Sequence, residues 1–273
     1  MIAAPFLGEF GWLVAMWVPW LRWNRRELFP HGDFDVLCDS GQEFLFEDFA
    51  TTVTPVHLDV TKRDCQNAWV GGGLMRQPRY LDFVRTRFKG QPKRSIISPT
   101  DMPVNWPAGE CPRLKRAAHH RYVVFDDSTS HQIAMHVRHH RGKQEERNWA
   151  RENAEDVVAT LRQSGYDVIA IGHPDHSICP LGAIDHRTVD VRTTCEELAK
   201  CLMVMGPSSG PLHLANYCDT AALWWSKNVK DVDRYGSHWN PFGLQNLRVK
   251  DSWDPSADDI VHAHQLWMHG GEK

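Results

Sequence analysis

The second half of the chain alternates between short apolar runs and longer segments in which apolar residues recur every three or four positions. Short apolar runs are typical of buried strands, and the second pattern predicts helices that bury one face. The predicted strands are Gln132–Arg138, Asp167–Gly172, Arg187–Val191, Leu202–Met205 and Thr220–Trp225. The predicted helices are Ala150–Ser164, Cys195–Cys201 and Ser256–His269. Because strands and helices alternate, this half is expected to form a parallel sheet covered by helices.

The first half of the chain shows a similar alternation with shorter elements. Its predicted strands are Met1–Phe6, Asp35–Asp39, Val53–Leu58, Ser95–Ser98 and Tyr122–Phe125, and a short helix is predicted at Gln42–Phe49. Residues Trp12–Trp23 are apolar almost all round, which predicts a buried helix that Pro19 kinks or divides. A polar, turn-rich stretch at Asp126–Ser130 is the predicted linker. The sequence therefore predicts two Rossmann-like α/β domains, residues 1–128 and 129–250, followed by a closing segment at 251–273.

One strand-to-helix connection, Met203–Ala215, carries the strongest functional signal. Its apolar start predicts a strand that breaks at Gly206-Pro207, and Pro211 suits the first turn of a helix. Unpaired backbone N–H groups and a partial positive charge at a helix start make an anion site. The candidate binding residues of this turn are Ser208, Ser209, Gly210 and His213. The alternative is an ordinary strand-to-helix turn with a serine N-cap.

Residues 206–215, Gly-Pro-Ser-Ser-Gly-Pro-Leu-His-Leu-Ala, resemble a signature of the heptosyltransferase-like glycosyltransferases, Gly-x-(Asp/Ser)-(Ser/Thr)-Gly-Pro-x-His-Leu-Ala. The preceding Thr193–Ala199 resembles the Ser/Thr-Leu-x-Glu-Leu-Ala segment of that family. The resemblance implies that the turn holds the diphosphate of a nucleotide-sugar. It also implies the GT-B fold, in which two Rossmann-like domains face each other across a cleft. In two-domain enzymes of this kind, a helix such as the one in 251–273 packs back on the N-terminal domain.

A second candidate loop follows the first predicted strand, where Gly8 and Gly11 bracket Glu9. This is the usual place for a ligand in an open α/β sheet. Glu9 is therefore either a general base at the cleft or a helix-start acid that complements the helix dipole. The segment resembles the heptosyltransferase N-terminus, Gly-Asp-x-x-x-x-x-Pro-x-Leu-Arg, with Glu9 in place of its acidic residue and Pro19–Arg22 matching the later part.

Arg138 ends the first predicted strand of the second half, at the sheet edge where ligands bind. Its guanidinium fork suits two phosphate oxygens. His136-Val137-Arg138 is similar to the His-x-Arg of fucosyltransferases, in which the arginine contacts the donor diphosphate. The alternative is a surface arginine near Glu145 or Glu146. Lys143 is a candidate for the same phosphates, or a solvated side chain.

Two further segments flank the turn. Glu197 lies one predicted helix before it, and in the related enzymes an acid in this region holds the ribose hydroxyls. The alternative for Glu197 is an ordinary helix-surface residue. After the last predicted strand, Lys227–Val249 is an unusually long connection rich in aromatic and polar residues, and it is a candidate lining for the acceptor side.

Composition narrows the functional classes. The net charge of −3 gives no overall electrostatic reason to bind nucleic acid or membrane, although the basic run Arg113–Arg121 is either a solvated helix face or a patch for a polyanion. Seven scattered cysteines without a Cys-x-x-Cys argue against a disulfide framework and predict a cytoplasmic location. No apolar run reaches the ~18–20 residues of a membrane span. The histidine pairs lack helical ligand spacing, so neither a catalytic metal nor another cofactor is expected.

The predicted function is metal-independent sugar transfer from a nucleotide-diphosphate sugar to a hydroxyl of a glycan or other acceptor. Arg138 and the serine turn with His213 would neutralise the leaving diphosphate, and Glu9 would deprotonate the acceptor. The resemblance to heptosyltransferases implies inversion at the sugar. Three alternatives stay open: a nucleotide-sugar epimerase of the same fold, a non-catalytic nucleotide-sugar or glycan-binding module, and a DNA-base glycosyltransferase that uses the basic run.

Overall fold

The computed structural model describes residues 1–3, 10–56, 86, 89–90, 96–97, 120–122, 130–140 and 145–270. The chain divides into two compact units, Met1–His120 and Arg121–Lys273. The domain boundary at residue 128 stays a prediction, because residues 123–129 lie outside the described ranges. Within those ranges, no helix has both the length and the apolar character that crossing a membrane requires.

A four-stranded parallel sheet forms the centre of the first unit. Its strands are β1 (Ile2–Ala3), β2 (Asp35–Cys38), β3 (Thr52–Pro55) and β4 (Ile96–Ile97). They lie in the order β3-β2-β1-β4. Between β1 and β2 the chain forms α1 (Phe10–Trp12), a π-helical segment (Leu13–Trp17) and α2 (Val18–Glu27). A single 3-10 turn at Glu43–Leu45 stands where the sequence predicts a short helix.

The helical stretch between β1 and β2 is as buried as its apolar pattern predicts. It continues through Pro19, with the π-helical segment ending two residues before the proline. Proline lacks an N–H and its ring crowds the carbonyl four residues earlier, so the wider preceding turn lets the helix continue without dividing. Arg22 anchors α2 through a two-point bond to Asp48, with Nε–Oδ2 and Nη2–Oδ1 distances of 2.8 and 2.9 Å.

A six-stranded parallel sheet forms the centre of the second unit. In chain order the strands are β5 (Gln132–Met135), β6 (Val137–Arg138), β7 (Asp167–Ala170), β8 (Ser177–Ile178), β9 (Ile184–Asp185), β10 (Met203–Pro207), β11 (Ala221–Trp225) and β12 (Asn246–Arg248). Six of them form the sheet in the order β12-β11-β10-β5-β7-β9, and β6 pairs antiparallel with β8. The single strand predicted over 132–138 is therefore interrupted at His136, and its last two residues leave the main sheet.

Five α-helices accompany this sheet in the described part of the second unit. They are α3 (Arg151–Gln163), α4 (Val191–Ala199), α5 (Gly210–Ala215), α6 (Lys230–Asp233) and α7 (Ala257–Met268). A 3-10 turn (Glu145–Arg147) precedes α3, and a π-helical segment (Arg234–His238) follows α6. Ile260 and Ala263 of α7 share one buried core with Val157 of α3. The contact of α7 with the N-terminal domain, implied by the resemblance, stays a prediction.

The strand predicted at Arg187–Val191 is wrong. The edge strand β9 ends at Asp185, and the chain then turns so that Asp190 caps α4. The Asp190 carboxylate accepts hydrogen bonds from the N–H groups of Arg192 and Thr193 at 3.3 and 3.1 Å. The β-branched residues favoured a strand, but a capping carboxylate satisfies the first N–H groups of a helix and starts α4 at Val191.

Candidate functional site

The Ser208–Gly210 turn lies at the carboxyl end of β10, between neighbouring strands of the parallel sheet. Pro207 is opposite Trp225 of β11, and the N–H of Ser208 donates to the carbonyl of Trp225 at 2.8 Å. The next helix, α5, begins at Gly210. Ser208 and Ser209 are both buried. The strand, turn and helix start thus follow the predicted order, and the turn is held within the protein interior.

Gly206 allows the two central strands to approach each other just before this turn. A Cβ atom at this position would lie 2.7 Å from the carbonyl oxygen of His136 and 2.9 Å from Cδ1 of Leu212. Both distances are well inside van der Waals contact. The end of the Leu212 side chain could move aside, but the backbone oxygen of His136 could not, so a side chain at Gly206 would require backbone movement between β5 and β6 or at the end of β10. The glycine is therefore required by the packing beneath the turn.

The hydroxyl of Ser209 does not cap the helix that follows it. Ser209 is the N-cap residue of α5 and has the extended backbone of a cap, with φ −158° and ψ 169°, but its side chain makes no capping hydrogen bond. The hydroxyl is buried and has no hydrogen-bond partner among the residues that the structure describes. The alternative of an ordinary serine cap is therefore wrong, and a buried hydroxyl remains available at the turn.

Arg147 contacts the turn directly, and sequence reasoning missed it. Its Nη2 donates to the carbonyl oxygen of Ser208 at 2.5 Å, and its guanidinium carbon lies 4.7 Å from the ring centroid of Trp253. The 3-10 turn that carries Arg147 is followed by Trp149, which is buried and donates from Nε1 to the carbonyl of Pro255 at 2.8 Å. The sequence does contain a signal that could have indicated Arg147. It is a basic residue two positions before Trp149, in a loop that follows a strand end.

Arg138 occupies the end of β6, and it is buried with an exposed fraction of 8%. The alternative of an exposed surface arginine is therefore wrong. The strand before it, β5, pairs with β10, and the N–H of His136 donates to the carbonyl of Met205 at 2.9 Å. Arg138 and the serine turn thus follow neighbouring strands at the same edge of the sheet. This edge is where ligands bind in parallel α/β sheets.

Two histidines near Arg138, namely His136 and His140, have strongly lowered pKa values. Burial lowers the pKa of His136 to about 4, and the charge of Arg138 adds to this effect while a hydrogen bond with the Ile171 carbonyl opposes it. Burial, Arg138 and His176 lower the pKa of His140 to about 3. The rings of His140 and His176 are stacked with centroids 4.9 Å apart. His136 and His140 are therefore neutral near pH 7, and Arg138 carries a positive charge beside them.

We expect His136 to make stability fall between pH 7 and pH 5. The unfolded pKa is about 6.5 and the folded pKa about 4, so in this window the unfolded chain binds the proton and folding loses about 2 kcal/mol from this group alone. Urea unfolding of His136→Asn at the two pH values should show a smaller loss than wild type. His31→Asn, an exposed position, should keep the wild-type loss. An unchanged pH dependence in His136→Asn would contradict the assignment.

His213 lies on α5 directly behind the turn and is 3% exposed. Its ring stacks on Tyr235 with centroids 4.5 Å apart and meets Trp239 edge-on at the same distance. Burial lowers its pKa well below the usual value, and the charges of Arg234 and Arg147 act in the same direction. His213 is therefore neutral, and within the described residues its Nδ1 is buried without a hydrogen-bond partner.

Glu197 is held by two basic neighbours. It accepts a hydrogen bond from Lys200 at 2.8 Å and lies 2.7 Å from Nδ1 of His186. Burial acts to raise the pKa of Glu197, but the hydrogen bonds from Lys200 and His186 outweigh it and lower the pKa. The carboxylate is thus ionised and its side chain is 15% exposed. A ribose contact for Glu197 stays a prediction.

The remaining predicted residues fall mostly outside the described ranges. Gly8, Glu9 and Lys143 lie there, as does the basic run except its last two residues. Gly11 is described, and it is a buried residue of α1 where the sequence predicts a loop. In the described ranges, no three His, Cys, Asp or Glu side chains gather as a metal site, and metal independence stays a prediction.

No protein-family model matches the chain, and no curated protein sequence matches it. Solved structures do share its fold. A glycosyl transferase family 9 structure from Veillonella parvula DSM 2008 has a TM-score of 0.58 at 13% identity, over 98% of this chain and 97% of that chain. The E. coli heptosyltransferase WaaC with ADP-2-deoxy-2-fluoro heptose has a TM-score of 0.59 at 11% identity, over 99% of each chain.

A third structure, E. coli ADP-heptose lps heptosyltransferase II, has a TM-score of 0.57 at 11% identity over 100% of this chain and 99% of that chain. These likenesses extend over whole chains while sequence identity is low. They therefore establish architecture, namely parallel sheets in two α/β units. The chain has the GT-B fold of these glycosyltransferase structures, as its sequence predicts.

Proposed function

We propose that the protein is a glycosyltransferase that moves a sugar from a nucleotide-diphosphate sugar to an acceptor hydroxyl. The proposal rests on the buried serine turn at the carboxyl edge of the second sheet. Arg147 donates a hydrogen bond to this turn, and Arg138 lies at the neighbouring strand end. The Ser209 hydroxyl of the turn has no hydrogen-bond partner in the described chain. A buried arginine, a half-buried arginine and an unused hydroxyl donor at one edge suit a phosphate group. The fold adds support, since WaaC with ADP is a fold neighbour.

In the proposed reaction, the second unit binds the leaving group, which is the diphosphate of the donor. As the bond from the anomeric carbon to the diphosphate oxygen breaks, negative charge develops on the diphosphate. Arg147 and Arg138, with the Ser209 hydroxyl and the N–H groups at the start of α5, would stabilise that charge. Two arginines, the buried Arg138 and the half-buried Arg147, supply the positive charge that a divalent cation would otherwise provide, which is the basis for proposing metal-independent transfer.

The residue roles proposed for activating the acceptor are inferred from the sequence. In the proposal, Glu9 takes the proton from the acceptor hydroxyl, whose oxygen then attacks the anomeric carbon opposite the leaving diphosphate and inverts it. Lys143 would add a further phosphate contact, and Glu197 the ribose contact. The sugar is not specified by any of these residues, so heptosyl, hexosyl and fucosyl donors all belong in the test.

The test compares two serines at helix starts. Ser209→Ala should leave the melting temperature of the unliganded protein unchanged or raised, because it removes a buried hydroxyl without a described partner. It should also reduce the melting-temperature rise caused by nucleoside diphosphates, beginning with ADP, since ligands of the native state stabilise by mass action. Ser256→Ala is the matched control. Ser256 caps α7 by accepting from the N–H of Asp259, so its loss should cost about 1 kcal/mol and leave ligand binding intact.

Sugar-transfer assays with the same variants complete the test. Transfer by wild type that falls in Ser209→Ala and persists in Ser256→Ala supports the enzyme. Donor binding without transfer or hydrolysis would favour a binding module, and release of a free epimer would favour an epimerase. Ser209→Ala that loses stability as Ser256→Ala does, with unchanged ligand response, would overturn the role of the hydroxyl.

A further inference from the structure

The two residues that follow Arg147 are both fixed by hydrogen bonds to other segments of the chain. The side chain of Asn148 pairs with the backbone of His140, accepting from its N–H at 2.9 Å and donating to its carbonyl at 2.7 Å. The buried Trp149 donates from Nε1 to the carbonyl of Pro255 at 2.8 Å. The backbone position from which the Arg147 side chain extends is therefore well defined.

The segment before α7, residues 251–255, is bonded to the start of α3. Oδ1 of Asp254 accepts hydrogen bonds from the N–H of Ala150 at 3.2 Å and from the side-chain amide of Asn153 at 3.4 Å. The same segment also receives the indole N–H described above, at its last residue. Trp253 lies within this segment and is half-buried, so its ring projects from backbone that is held in place.

The side chains of Arg147 and Trp253 meet between these fixed points. The guanidinium carbon of Arg147 lies over the Trp253 ring, 4.7 Å from its centroid. A cation is attracted to the face of an aromatic ring within about 6 Å of the centroid, and tryptophan is the strongest partner. Nη2 of the same guanidinium donates to the carbonyl of Ser208 at 2.5 Å. Three groups from separate parts of the chain are thus joined in the order Trp253, Arg147, Ser208.

The Ser208 carbonyl is an obstacle to anion binding that Arg147 offsets. The carbonyl oxygen carries partial negative charge at the turn that is proposed to receive a diphosphate, and a charged donor bonded to it compensates for that charge. An arginine side chain has many rotamers, so a charge is kept at one point only when the side chain is restrained. The face of Trp253 supplies such a restraint, because it sets the plane of the guanidinium.

We propose that Trp253 is a positioning residue of the donor site, whose indole ring holds the Arg147 guanidinium against the Ser208–Gly210 turn for contact with the leaving diphosphate. The proposal rests on the proposed function and adds to it an aromatic residue from the segment between β12 and α7. A charge that is oriented before the reaction needs no reorganisation when negative charge develops on the leaving group. Trp253 acts through Arg147 and is not placed against the reacting atoms.

The first test removes the ring and then restores an aromatic face. Trp253→Ala should weaken ADP binding about 3- to 30-fold and lower kcat for transfer, the range expected for a cation–π contact between exposed and desolvated sites. Trp253→Phe should recover most of both losses, because phenylalanine also attracts a cation. Trp267→Ala is the matched control: it removes another partly buried tryptophan, which packs on the hydrophobic core, and should bind ADP as wild type. If ADP does not bind the wild type, the same titration is made with UDP and GDP.

A double-mutant cycle with Arg147→Ala separates positioning from a general effect on folding. If Trp253 acts through Arg147, then Trp253→Ala should cost no further ADP affinity or kcat once Arg147 is already alanine. Full additivity of the two losses, or wild-type affinity and kcat in Trp253→Ala, would overturn the proposal while leaving the transferase assignment in place. An equal loss of affinity in Trp267→Ala would do the same. A wild type that binds none of the three nucleoside diphosphates would overturn the proposed function and this inference with it.

Discussion

Replacing Arg147 with alanine is expected to lower kcat/KM for sugar transfer by about 10²- to 10³-fold, the loss typical of removing one preorganised donor to a developing negative charge. Arg147 contacts the turn directly, through its hydrogen bond to the Ser208 carbonyl. The stack on Trp253 holds the guanidinium in place. A charge that is fixed before the reaction stabilises the leaving diphosphate without reorganisation, so its loss should reduce kcat as well as donor affinity.

Two matched variants sharpen this measurement. Arg151→Ala removes a nearby exposed arginine that forms a 3.7 Å pair with Glu155 on α3, and it should keep wild-type kinetics. Arg147→Lys keeps the charge but loses the planar fork, and should be intermediate, with about a tenfold loss. Melting temperatures of all three variants show whether the protein remains folded. If Arg147→Ala is as active as Arg151→Ala, the turn does not bind the leaving group in the way proposed.

Replacing Gly206 with alanine is expected to destabilise the protein by about 2–4 kcal/mol, which is large for a single added methyl group. The methyl would meet the backbone oxygen of His136 at 2.7 Å, and backbone cannot rotate away as a flexible side chain can. Relief requires the backbone at His136 or at the end of β10 to move, and these segments lead directly into Arg138 and the serine turn. We therefore expect weaker ADP binding in the folded fraction as well as lower stability.

Gly236→Ala provides the control for that substitution. Gly236 lies in the π-helical segment beside Tyr235, and a Cβ there would meet no atom within 4 Å. Alanine should be neutral or slightly stabilising at this position, because it restricts the unfolded chain without creating a clash. Urea unfolding followed by tryptophan fluorescence compares the two midpoints. Equal midpoints for Gly206→Ala and Gly236→Ala would show that the close approach beneath the turn is not a constraint.

Features coded by neighbouring residues could be predicted from the sequence. The apolar spacing of Ala154, Val157 and Leu161 predicted α3, and all three are buried. The serine turn was found because the strand end, the Gly-Pro break and the proline of the helix start all lie within Met203–Ala215. The strand predicted at 187–191 failed for a related reason, since an alternation of β-branched residues and a helix-capping aspartate overlap in one short stretch.

Features made by distant residues could not be predicted. Arg147 and Ser208 are 61 residues apart, and no periodic pattern connects a 3-10 turn with the end of a strand. Whether an aromatic residue in a long connection is buried also depends on what packs over it. Tyr235 illustrates this, because its place in the ring stack between His213 and Trp224 follows from β11 and α5 lying side by side.

The sequence by itself determined the alternation of strands and helices, the break after β10 and the serine turn, since each depends on backbone preferences and apolar spacing over a few residues. Only the tertiary structure decided that the Ser209 hydroxyl does not cap α5, that Arg138 is buried, and that Arg147 reaches the turn. These outcomes depend on which strands become neighbours in the sheet, and that is settled by packing of the whole unit.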